Sequence, residues 1–529
     1  MQQTVKTNSD AKSVKYVNKR GYAIYKSALE LSQCDKIRKD LTVSPIVIEG
    51  YGIPEPPFPI YLESNLKLYL PKHYAIAKLG KPDAITLNNN IYKTSLKFKG
   101  ELRENQMEPL KLFMDSCNLD GDYTPESLTK FSYGGIISLP CGYGKTVLAL
   151  KIIAELGVKT LIIVHKEFLM NQWIERINQY LPDAKVGTIQ QKRQDVHGKD
   201  IVIGMLQSLS MKEYSDYIFE EFGFCIVDEC HHLGAEVFSR ALPKVNCKYT
   251  LGLSATPNRS DGLSRVFEHY LGPYIYILKV KNERVVHVNM VYYKNKNPLY
   301  SNIETLPNGK PCMARMTNNI TEFNRRNEII LEIISSSVKT HGIHILALSD
   351  RLEHLNYLYN QICDRKIGTV GFYVGGMKQT QLKKSEECQI ILGTFTMAAE
   401  ALDIPSLNTL ILMTSHGEGA MHTQSCGRIL RREHETIVPT IWDICDDFSQ
   451  YANQAKRRLK HYKRENYKIF TVNITDKETE PIEDVVKLIH TLELDCKPKQ
   501  KSKASKKHSI TDQEVEMYTS ALADDNADY

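Results

Sequence analysis

The stretch "SLPCGYGKTVLALKIIA", Ser138–Ala154, places two glycines and a lysine between two apolar runs. The run "GGIISL" predicts a buried strand and the run after the loop predicts a helix, so the glycines fall in a tight strand-to-helix loop. Backbone N–H groups of such a loop, together with the helix N-terminus, bind anions such as phosphate. The usual pattern, G-x-x-x-x-G-K-[ST], expects glycine where this chain has Leu139. Pro140 can begin the turn instead, and Gly142 and Gly144 then supply the unusual backbone angles.

The side chains of this loop predict a nucleotide-phosphate site. Lys145 is expected to reach the outer phosphates of a nucleotide, and the Thr146 hydroxyl is expected to ligate Mg²⁺. The predicted cofactor-binding residues of the loop are Pro140, Cys141, Gly142, Tyr143, Gly144, Lys145 and Thr146. A chance glycine-rich turn is the alternative interpretation of this stretch taken alone.

The second chemical signal is "FCIVDECHHL", in which Asp228 and Glu229 follow four apolar residues. The two carboxylates therefore lie at the carboxyl end of a buried strand, where open parallel sheets bind their ligands. Asp228 is expected to hold magnesium through water and Glu229 to polarise the attacking water, with both carboxylates at the magnesium site. Taken alone, the stretch also fits a different metal site or a helix cap. The phosphate loop upstream favours phosphoryl transfer.

Short apolar runs alternate with helical stretches over most of the chain, which predicts parallel sheets covered by helices on both faces. The strand candidates are "TLIIVH", "DIVIGM", "FCIVDE", "YTLGLS", and then "GIHILALS", "CQIILGT", "NTLILMT" and "TIVPTIWDIC". We predict an α/β protein with two tandem parallel-sheet domains, a small mixed N-terminal domain and a disordered basic tail. The expected segments are 1–97 (accessory), 98–276 (first sheet domain), 277–320 (connection), 321–475 (second sheet domain) and 476–529 (extension with the lysine-rich "CKPKQKSKASKKHS").

Composition excludes several classes of protein. The chain has 529 residues, a net charge of +6 and 42% hydrophobic residues, which predicts several globular domains and tolerates a polyanionic partner. Its 12 cysteines include none of the closely spaced pairs of zinc or redox sites. The polar N-terminus resembles no signal peptide, and no run approaches the roughly 20 apolar residues of a membrane span. We expect a soluble intracellular protein without a membrane partner.

Taken together, the motifs resemble those of superfamily 2 helicases, in family order, from about Phe98 to Arg432. "LPCGYGKT" resembles motif I, whose first position is often not glycine, and "DECH" resembles the D-E-x-H box. "FKGELRENQ" resembles the adenine-recognising segment, with Arg103 and Gln106 as the implied contacts, and "LIIVHKEFLMNQW" resembles motif Ia. In the second domain "ILALSDRLEHL" is similar to motif IV, "LGTFTMAAEALDIP" to motif V and "QSCGRILRR" to motif VI. The resemblance implies RecA-like folds for both sheet domains.

The resemblance also implies roles for individual residues. Gln424, Arg428 and Arg431 of motif VI would join Lys145 and Glu229 in catalysis, the arginines reaching the γ-phosphate from the second domain. The implied coupling residues are His231, Ser254, Ala255, Thr256 and Asp403. A solvated basic helix end is the alternative for "GRILRR" taken alone. Motif V departs from the family because Glu400, Ala401 and Leu402 stand where many relatives have an arginine-glycine pair.

Contacts to nucleic acid are implied near motifs Ia and V, and we expect them at the backbone phosphates, with salt-dependent binding that ignores sequence. The candidates are Lys166, Gln172, Gln207, Thr394 and Thr396. Trp173 could stack a base, but its near-helical spacing from Phe168 and Ile177 favours core packing.

The narrower resemblance is to the XPB-like branch, and most of all to the transcript-release helicases of poxviruses and other large DNA viruses. It implies an ATP- and Mg²⁺-dependent DNA helicase or translocase acting as a monomer on duplex or branched DNA. Its implied setting is viral transcription with the transcription machinery, in the host cytoplasm or the virion, or else DNA repair or recombination. Two alternatives stay open: an RNA helicase, and a nucleic-acid-binding subunit of a transcription complex that ATP only switches.

Overall fold

The computed structural model describes residues 14–44, 56–87, 91–117, 133–140, 142–230, 235–255, 264–278, 285–400, 402, 404–417, 419–430, 437–477, 479–485 and 487–489. The described residues up to 278 form one compact unit, and those from 285 onward form a second. Among these residues, no helix is both long enough and apolar enough to cross a membrane.

The first unit begins with a small mixed layer. Its elements are β1 (Lys15–Asn18), β2 (Gly21–Tyr25), α1 (Leu31–Asp40), β3 (Thr42–Val43), β4 (Phe58–Pro59), β5 (Leu62–Glu63), β6 (Lys67–Leu70), α2 (Lys72–Leu79) and β7 (Ala84–Ile85). Five of the strands form one sheet in the order β5-β6-β2-β1-β7, and β3 pairs with β4. Alternate side chains, including Tyr22, Ile24, Leu68 and Leu70, are buried in a core with residues of α1 and α2.

The larger sheet of the first unit holds the phosphate loop. Its strands are β8 (Gly134–Ser138), β9 (Thr160–Val164), β10 (Val186–Gln190), β11 (Arg193–Gln194), β12 (Ile201–Met205), β13 (Phe224–Val227), β14 (Tyr249–Ser254) and β15 (Tyr274–Ile277). Their order is β11-β10-β12-β9-β13-β14-β8-β15, and every pair is parallel except β10 with β11. The accompanying helices are α3 (Glu104–Cys117), α4 (Lys145–Leu156), α5 (Glu167–Tyr180), α6 (Leu206–Met211), α7 (Ala235–Ala241) and α8 (Ser264–Leu271).

Helix α2 fixes the small sheet to the large one. The buried Lys72 ammonium donates to the carbonyls of Cys247 at 3.1 Å and Lys248 at 2.8 Å, just before β14. Nε2 of His73 lies 3.0 Å from Oγ1 of Thr250 on β14. Burial lowers the pKa of Lys72 to about 8 because two carbonyl dipoles replace bulk water around the ammonium. The predicted accessory segment therefore has its own sheet but packs within the first unit.

The second unit is built on a seven-stranded, fully parallel sheet. Its strands are β16 (His287–Asn295), β17 (Ile345–Leu348), β18 (Val370–Tyr373), β19 (Ile390–Gly393), β20 (Thr409–Leu412), β21 (Thr440–Asp446) and β22 (Lys468–Asp476), in the order β18-β19-β17-β20-β21-β16-β22. The helices are α9 (Pro298–Ser301), α10 (Met313–Glu322), α11 (Asn324–Val338), α12 (Leu352–Asp364), α13 (Gln379–Glu386), α14 (Phe395–Glu400), α15 (Ala420–Arg428) and α16 (Ser449–Arg464).

Two buried ion pairs attach helices to β21. Arg326 of α11 contacts Asp446 through two hydrogen bonds of 2.6 and 2.9 Å, and Arg458 of α16 contacts Asp443 at 2.8 and 2.9 Å. Each carboxylate also accepts a tyrosine hydroxyl, from Tyr300 and Tyr462 respectively. Bidentate hydrogen bonds of this kind compensate for the burial of charges that would be very costly if each were buried alone.

The predicted fold class, two parallel-sheet α/β domains of the RecA type, is confirmed. The segment 277–320, predicted as a connection, differs from expectation because it supplies β16, which lies between β21 and β22. These strands are far apart in the sequence, so no local sequence pattern could predict that they pair. The predicted lysine-rich tail lies outside the described residues.

Candidate nucleotide-binding site

Three loops of the first unit meet at one edge of its large sheet. The strands β13, β14 and β8 are neighbours in that order and run parallel, so their carboxyl ends lie side by side. The phosphate loop follows β8, Asp228 and Glu229 follow β13, and Ser254 ends β14. This arrangement brings together the residues that the two motifs predicted.

The glycines of the loop adopt backbone angles that favour glycine. Gly142 has φ +84°, and Gly144, the residue before α4, has φ +75°. A Cβ on Gly144 would lie 2.3 Å from Nε2 of Gln106, whereas a Cβ on Gly142 would meet open space. Gly144 is therefore required both by its backbone angle and by a close neighbour. Cys141 lies outside the described residues.

Gln106 on α3, which was predicted to recognise adenine, forms hydrogen bonds with the backbone of the phosphate loop. This residue is buried, and its Nε2 donates to the carbonyls of Tyr143 at 3.2 Å and Gly144 at 2.9 Å. Its Oε1 accepts the backbone N–H of Arg103 at 2.8 Å. The Arg103 guanidinium donates to the Gly142 carbonyl at 3.2 Å. Both residues of the predicted adenine segment thus hold the loop backbone.

Lys145 lies between the loop and the acidic strand end. Its Nζ is 3.3 Å from Oε1 of Glu229 and donates to the Leu139 carbonyl at 3.2 Å. The two charged side chains are only 10% and 19% exposed. Limited contact with water strengthens their interaction with each other and with any charged ligand.

Asp228 is a buried carboxyl group at the end of β13. Its Oδ2 accepts the indole N–H of Trp173 at 2.7 Å, and its Oδ1 accepts the backbone N–H of Glu229 at 3.0 Å. Burial, followed by the neighbouring Glu229 carboxylate, raises the pKa of Asp228 to about 6. Glu229 itself has φ +46°, a left-handed angle that is uncommon outside glycine and tends to occur at functional sites.

These residues fit a magnesium–nucleotide complex. Mg²⁺ prefers oxygen ligands. The site offers two of them, the Asp228 carboxylate and the hydroxyl of the half-buried Thr146 at the start of α4. Each oxygen of the Asp228 carboxylate has a second lone pair besides the one that accepts its hydrogen bond. A nearby divalent cation would favour the ionised form that burial disfavours in Asp228. A buried carboxyl group with a raised pKa is typical of a functional site.

The indole of Trp173 has a role that the sequence argument missed. Core packing was predicted, and the residue is indeed buried on α5, at 1% exposure. Its contact with Asp228 was not predicted. A buried indole N–H requires a hydrogen-bond acceptor. The predicted burial of Trp173 could therefore have indicated that an acceptor lies beside it.

The predicted coupling residues are described only in part. Ser254 is fully buried, and its carbonyl accepts the backbone N–H of Leu139 at 3.0 Å, which joins the end of β14 directly to the phosphate loop. Ala255 follows it and is partly exposed. His231, Thr256 and Asp403 lie outside the described residues.

Three of the predicted nucleic-acid contacts lie at one edge of the large sheet. Lys166 immediately precedes α5 and Gln172 lies on α5, both after strand β9, and the exposed Gln207 is the second residue of α6, after the neighbouring strand β12. Nε2 of Gln207 donates to the His165 carbonyl at 3.0 Å, which joins the two loops. In the second unit, Thr394 precedes α14 and is half-buried, while Thr396 on α14 is exposed.

Two of the three predicted motif VI residues of the second unit are buried. Gln424 and Arg428 lie on α15 with 3% and 4% exposure. Nη1 of Arg428 donates to the carbonyl of Leu402 in motif V at 2.7 Å. Within its own unit, then, this guanidinium supports a neighbouring loop. Arg431 lies outside the described residues.

Comparisons with known proteins identify the family of the chain. Residues 99–259, which include the phosphate loop and both carboxylates, match the family described as "Type III restriction enzyme, res subunit". A protein of Acanthamoeba polyphaga mimivirus named as an ATP-dependent RNA helicase is 35% identical over 465 residues, covering 86% of each chain. The chain belongs to the superfamily 2 helicases. A protein of Invertebrate iridescent virus 6 named as a helicase is 27% identical to it over 413 residues, covering 73% of this helicase and 87% of the viral protein.

Two solved structures are also similar to this helicase. The crystal structure of T4 UvsW is 17% identical, covers 84% of the helicase and 96% of its own chain, and has a TM-score of 0.31. S. cerevisiae Dbp5 bound to RNA and ADP BeF3 is 11% identical, covers 74% and 97%, and has a TM-score of 0.47. Membership of the superfamily implies ATP hydrolysis and nucleic-acid binding.

Proposed function

We propose that this helicase hydrolyses ATP when nucleic acid is bound and moves along DNA, as a translocase or as an unwinding enzyme. The observation that carries the proposal is the cluster at the end of β13 and β8, where Nζ of Lys145 lies 3.3 Å from Glu229 and Asp228 is buried beside them. A lysine, two carboxylates and a glycine loop are the groups that phosphoryl transfer from ATP requires.

Each group then has a defined task in our proposal. The loop N–H groups and Lys145 bind the phosphates, Asp228 and Thr146 hold magnesium, and Glu229 orients and polarises the attacking water. Magnesium, when bound, neutralises charge that develops on the phosphate oxygens. Lys145 and Glu229 are already in contact, so nucleotide binding must separate their charges or insert between them.

In our proposal, the motif VI arginines of the second unit also act on ATP, as the family's motif VI implies. Nη1 of Arg428 already donates a hydrogen bond to the Leu402 carbonyl. We therefore propose that Arg428 positions the motif V loop and that Arg431 makes the direct contact with the γ-phosphate. An arginine in that position stabilises the transition state by a factor on the order of 10³ to 10⁵ in other phosphoryl-transfer enzymes.

Steady-state ATP hydrolysis by wild type and Glu229→Gln tests the proposal, with single-stranded DNA, duplex DNA, RNA or no nucleic acid at two salt concentrations. We expect DNA to stimulate turnover, salt to weaken the stimulation, and the variant to lose turnover by on the order of 10³ while still binding ATP. Salt sensitivity is expected because backbone phosphates carry the affinity. ATP binding without turnover in the wild type would instead support the ATP-switched transcription subunit.

RNA is the second candidate substrate, favoured by the name of the mimivirus relative. Nothing in the phosphate loop or the carboxylates distinguishes the two nucleic acids, so the same experiment decides between them. Stimulation by RNA alone would replace DNA in the proposal. Stimulation by duplex DNA would direct the next assays to transcript release and to the reannealing of recombination intermediates.

A further inference from the structure

The small sheet of the first unit presents a layer of tyrosines on the face that its helices do not cover. In the strand register, Tyr16 lies opposite Ala23 and Ala23 opposite Tyr69, while Tyr25 lies opposite Lys67 on the next row of the same face. The intervening rows carry Tyr22, Ile24, Leu68 and Leu70, which are buried. We call Tyr16, Tyr25, Lys67 and Tyr69, together with Arg20, the tyrosine face.

Cations and aromatic rings alternate on this face. Nζ of Lys67 lies 4.3 Å from the ring centroid of Tyr25 and 5.2 Å from that of Tyr16, and it donates to the Tyr16 hydroxyl at 2.7 Å. The guanidinium of Arg20 lies 5.5 Å from the ring centroid of Tyr69. All three rings remain half-buried, and the small, fully buried Ala23 lies between two of them in the register. The rings are thus fixed in place while part of each surface meets solvent.

The charged residues of the tyrosine face, Lys67 and Arg20, are both positively charged. Among the described strands of this sheet the one carboxylate belongs to Glu63, which lies opposite Leu68 and so falls on the helix-covered side. There it bonds Lys26 and Arg38, and those hydrogen bonds lower its pKa to about 2. The tyrosine face therefore combines aromatic surface with Lys67 and Arg20 and lacks strand carboxylates, which matches an anionic ligand that carries flat rings.

We propose that the tyrosine face binds a single strand of DNA, with bases stacked on the tyrosines and phosphates beside Lys67 and Arg20. Aromatic platforms combined with cations are the common physical basis for single-strand binding without sequence preference. A tyrosine ring or an ammonium does not distinguish ribose from deoxyribose, so the choice of DNA rests on the proposed function. Strand binding at the face itself rests on the contacts above.

The anchoring of α2 gives this binding a mechanical consequence. Lys72 and His73 hold the small sheet to the start of β14, and the other end of β14 carries Ser254, whose carbonyl holds the phosphate loop. A strand on the tyrosine face is therefore carried by the same unit that binds ATP. It provides a second anchor, away from the edge where Lys166 and Gln207 lie.

Fluorescence anisotropy with the full-length protein tests the inference, using labelled dT20 and rU20 at two salt concentrations. We expect Tyr69→Ala and Tyr16→Ala each to weaken dT20 binding about tenfold, the equivalent of one lost base stack. Tyr69→Phe, which keeps the ring, should stay within about twofold of wild type. Lys67→Met should reduce the salt slope by roughly 0.7, the value for one phosphate of a single strand.

Tyr217→Ala and Lys36→Ala are the matched controls, since both residues are exposed and lie elsewhere in the first unit. Neither control should change dT20 binding, and none of the variants should change ATP hydrolysis without nucleic acid. Crosslinking of bromodeoxyuridine-substituted dT20 to the wild-type protein gives a second measurement that needs no variant. We expect crosslinked peptides that contain Tyr16, Tyr25 or Tyr69.

Two outcomes would overturn the inference: folded tyrosine variants that bind dT20 as tightly as wild type, or crosslinks that map elsewhere. Loss confined to rU20 would overturn the choice of DNA. Failure of the proposed function appears differently, because a wild type without stimulated ATP hydrolysis would still give dT20 binding that depends on Tyr16 and Tyr69.

Discussion

The two halves of the predicted ATPase machinery hold their charged side chains in different ways. In the first unit, Lys145 and Glu229 retain some exposure and contact each other at the end of the sheet. In the second unit, Gln424 and Arg428 are buried, and Arg428 donates to a backbone carbonyl. A motif therefore identifies the kind of charge at a position, but the packing around it decides whether that charge meets the ligand or supports a loop.

The largest expected difference lies between the two motif VI arginines. Arg431→Gln is expected to slow ATP turnover by on the order of 10³ and leave the free energy of unfolding unchanged, as for a transition-state contact. Arg428→Gln is expected to lower the free energy of unfolding by about 2 kcal/mol, because it removes a buried charged hydrogen bond. Urea unfolding and single-turnover hydrolysis measure the two quantities. Similar behaviour of both variants would contradict the division of roles.

The next comparison is between two glycines of the phosphate loop. Alanine at either position costs about 1–2 kcal/mol because both glycines have left-handed angles. Gly144→Ala also places a Cβ in steric conflict with Nε2 of Gln106, which would break the hydrogen bond from Gln106 to the loop backbone. We therefore expect about 100-fold slower turnover. Gly142→Ala, with open space around its Cβ, should lose about tenfold or less. ATP titrations of the hydrolysis rate check both, and equal losses would show that the Gln106 contact is unimportant.

These cases show what the sequence could predict. The near-continuous apolar runs of β8, β9 and β13 predicted a buried parallel sheet, and the spacing of Gly142, Gly144 and Lys145 predicted the loop, because both depend on neighbours in the chain. The contact from Trp173 to Asp228 and the position of β16 between β21 and β22 depend on residues far apart in the chain. Periodicity carries no information about such pairs.

Trp173→Phe sharpens the comparison between packing and chemistry in a single residue. Phenylalanine keeps most of the buried apolar surface on α5 but removes the N–H that Asp228 accepts at 2.7 Å. We expect about tenfold weaker activation of hydrolysis by magnesium and a loss of stability near 1 kcal/mol, the usual value for one hydrogen bond. Magnesium titration of the hydrolysis rate measures the first effect. An unchanged magnesium dependence would mean that Trp173 only packs.

The last comparison concerns a buried histidine of the second unit, His354. Its Nδ1 lies 2.9 Å from Oγ of Ser349 and its Nε2 3.0 Å from Oδ1 of Asn327, and burial lowers its pKa to about 3. The folded protein keeps this imidazole neutral, whereas the unfolded chain protonates it below about pH 6.5. Its contribution to stability is therefore complete above pH 6.5 and is lost as the pH falls from 6.5 towards 3, by about 1.4 kcal/mol per pH unit.

His354→Gln should remove that dependence while keeping polar atoms near both partners. We expect the variant to be less stable than wild type at pH 8 and to lose about one proton's worth of the acid slope between pH 6.5 and 5 in urea unfolding. His73 of the first unit, whose pKa burial also lowers, provides the matched comparison. If His354→Gln and wild type keep parallel pH profiles, the native imidazole is protonated within that range, and the buried contacts of the second unit tolerate a charge that their geometry should exclude.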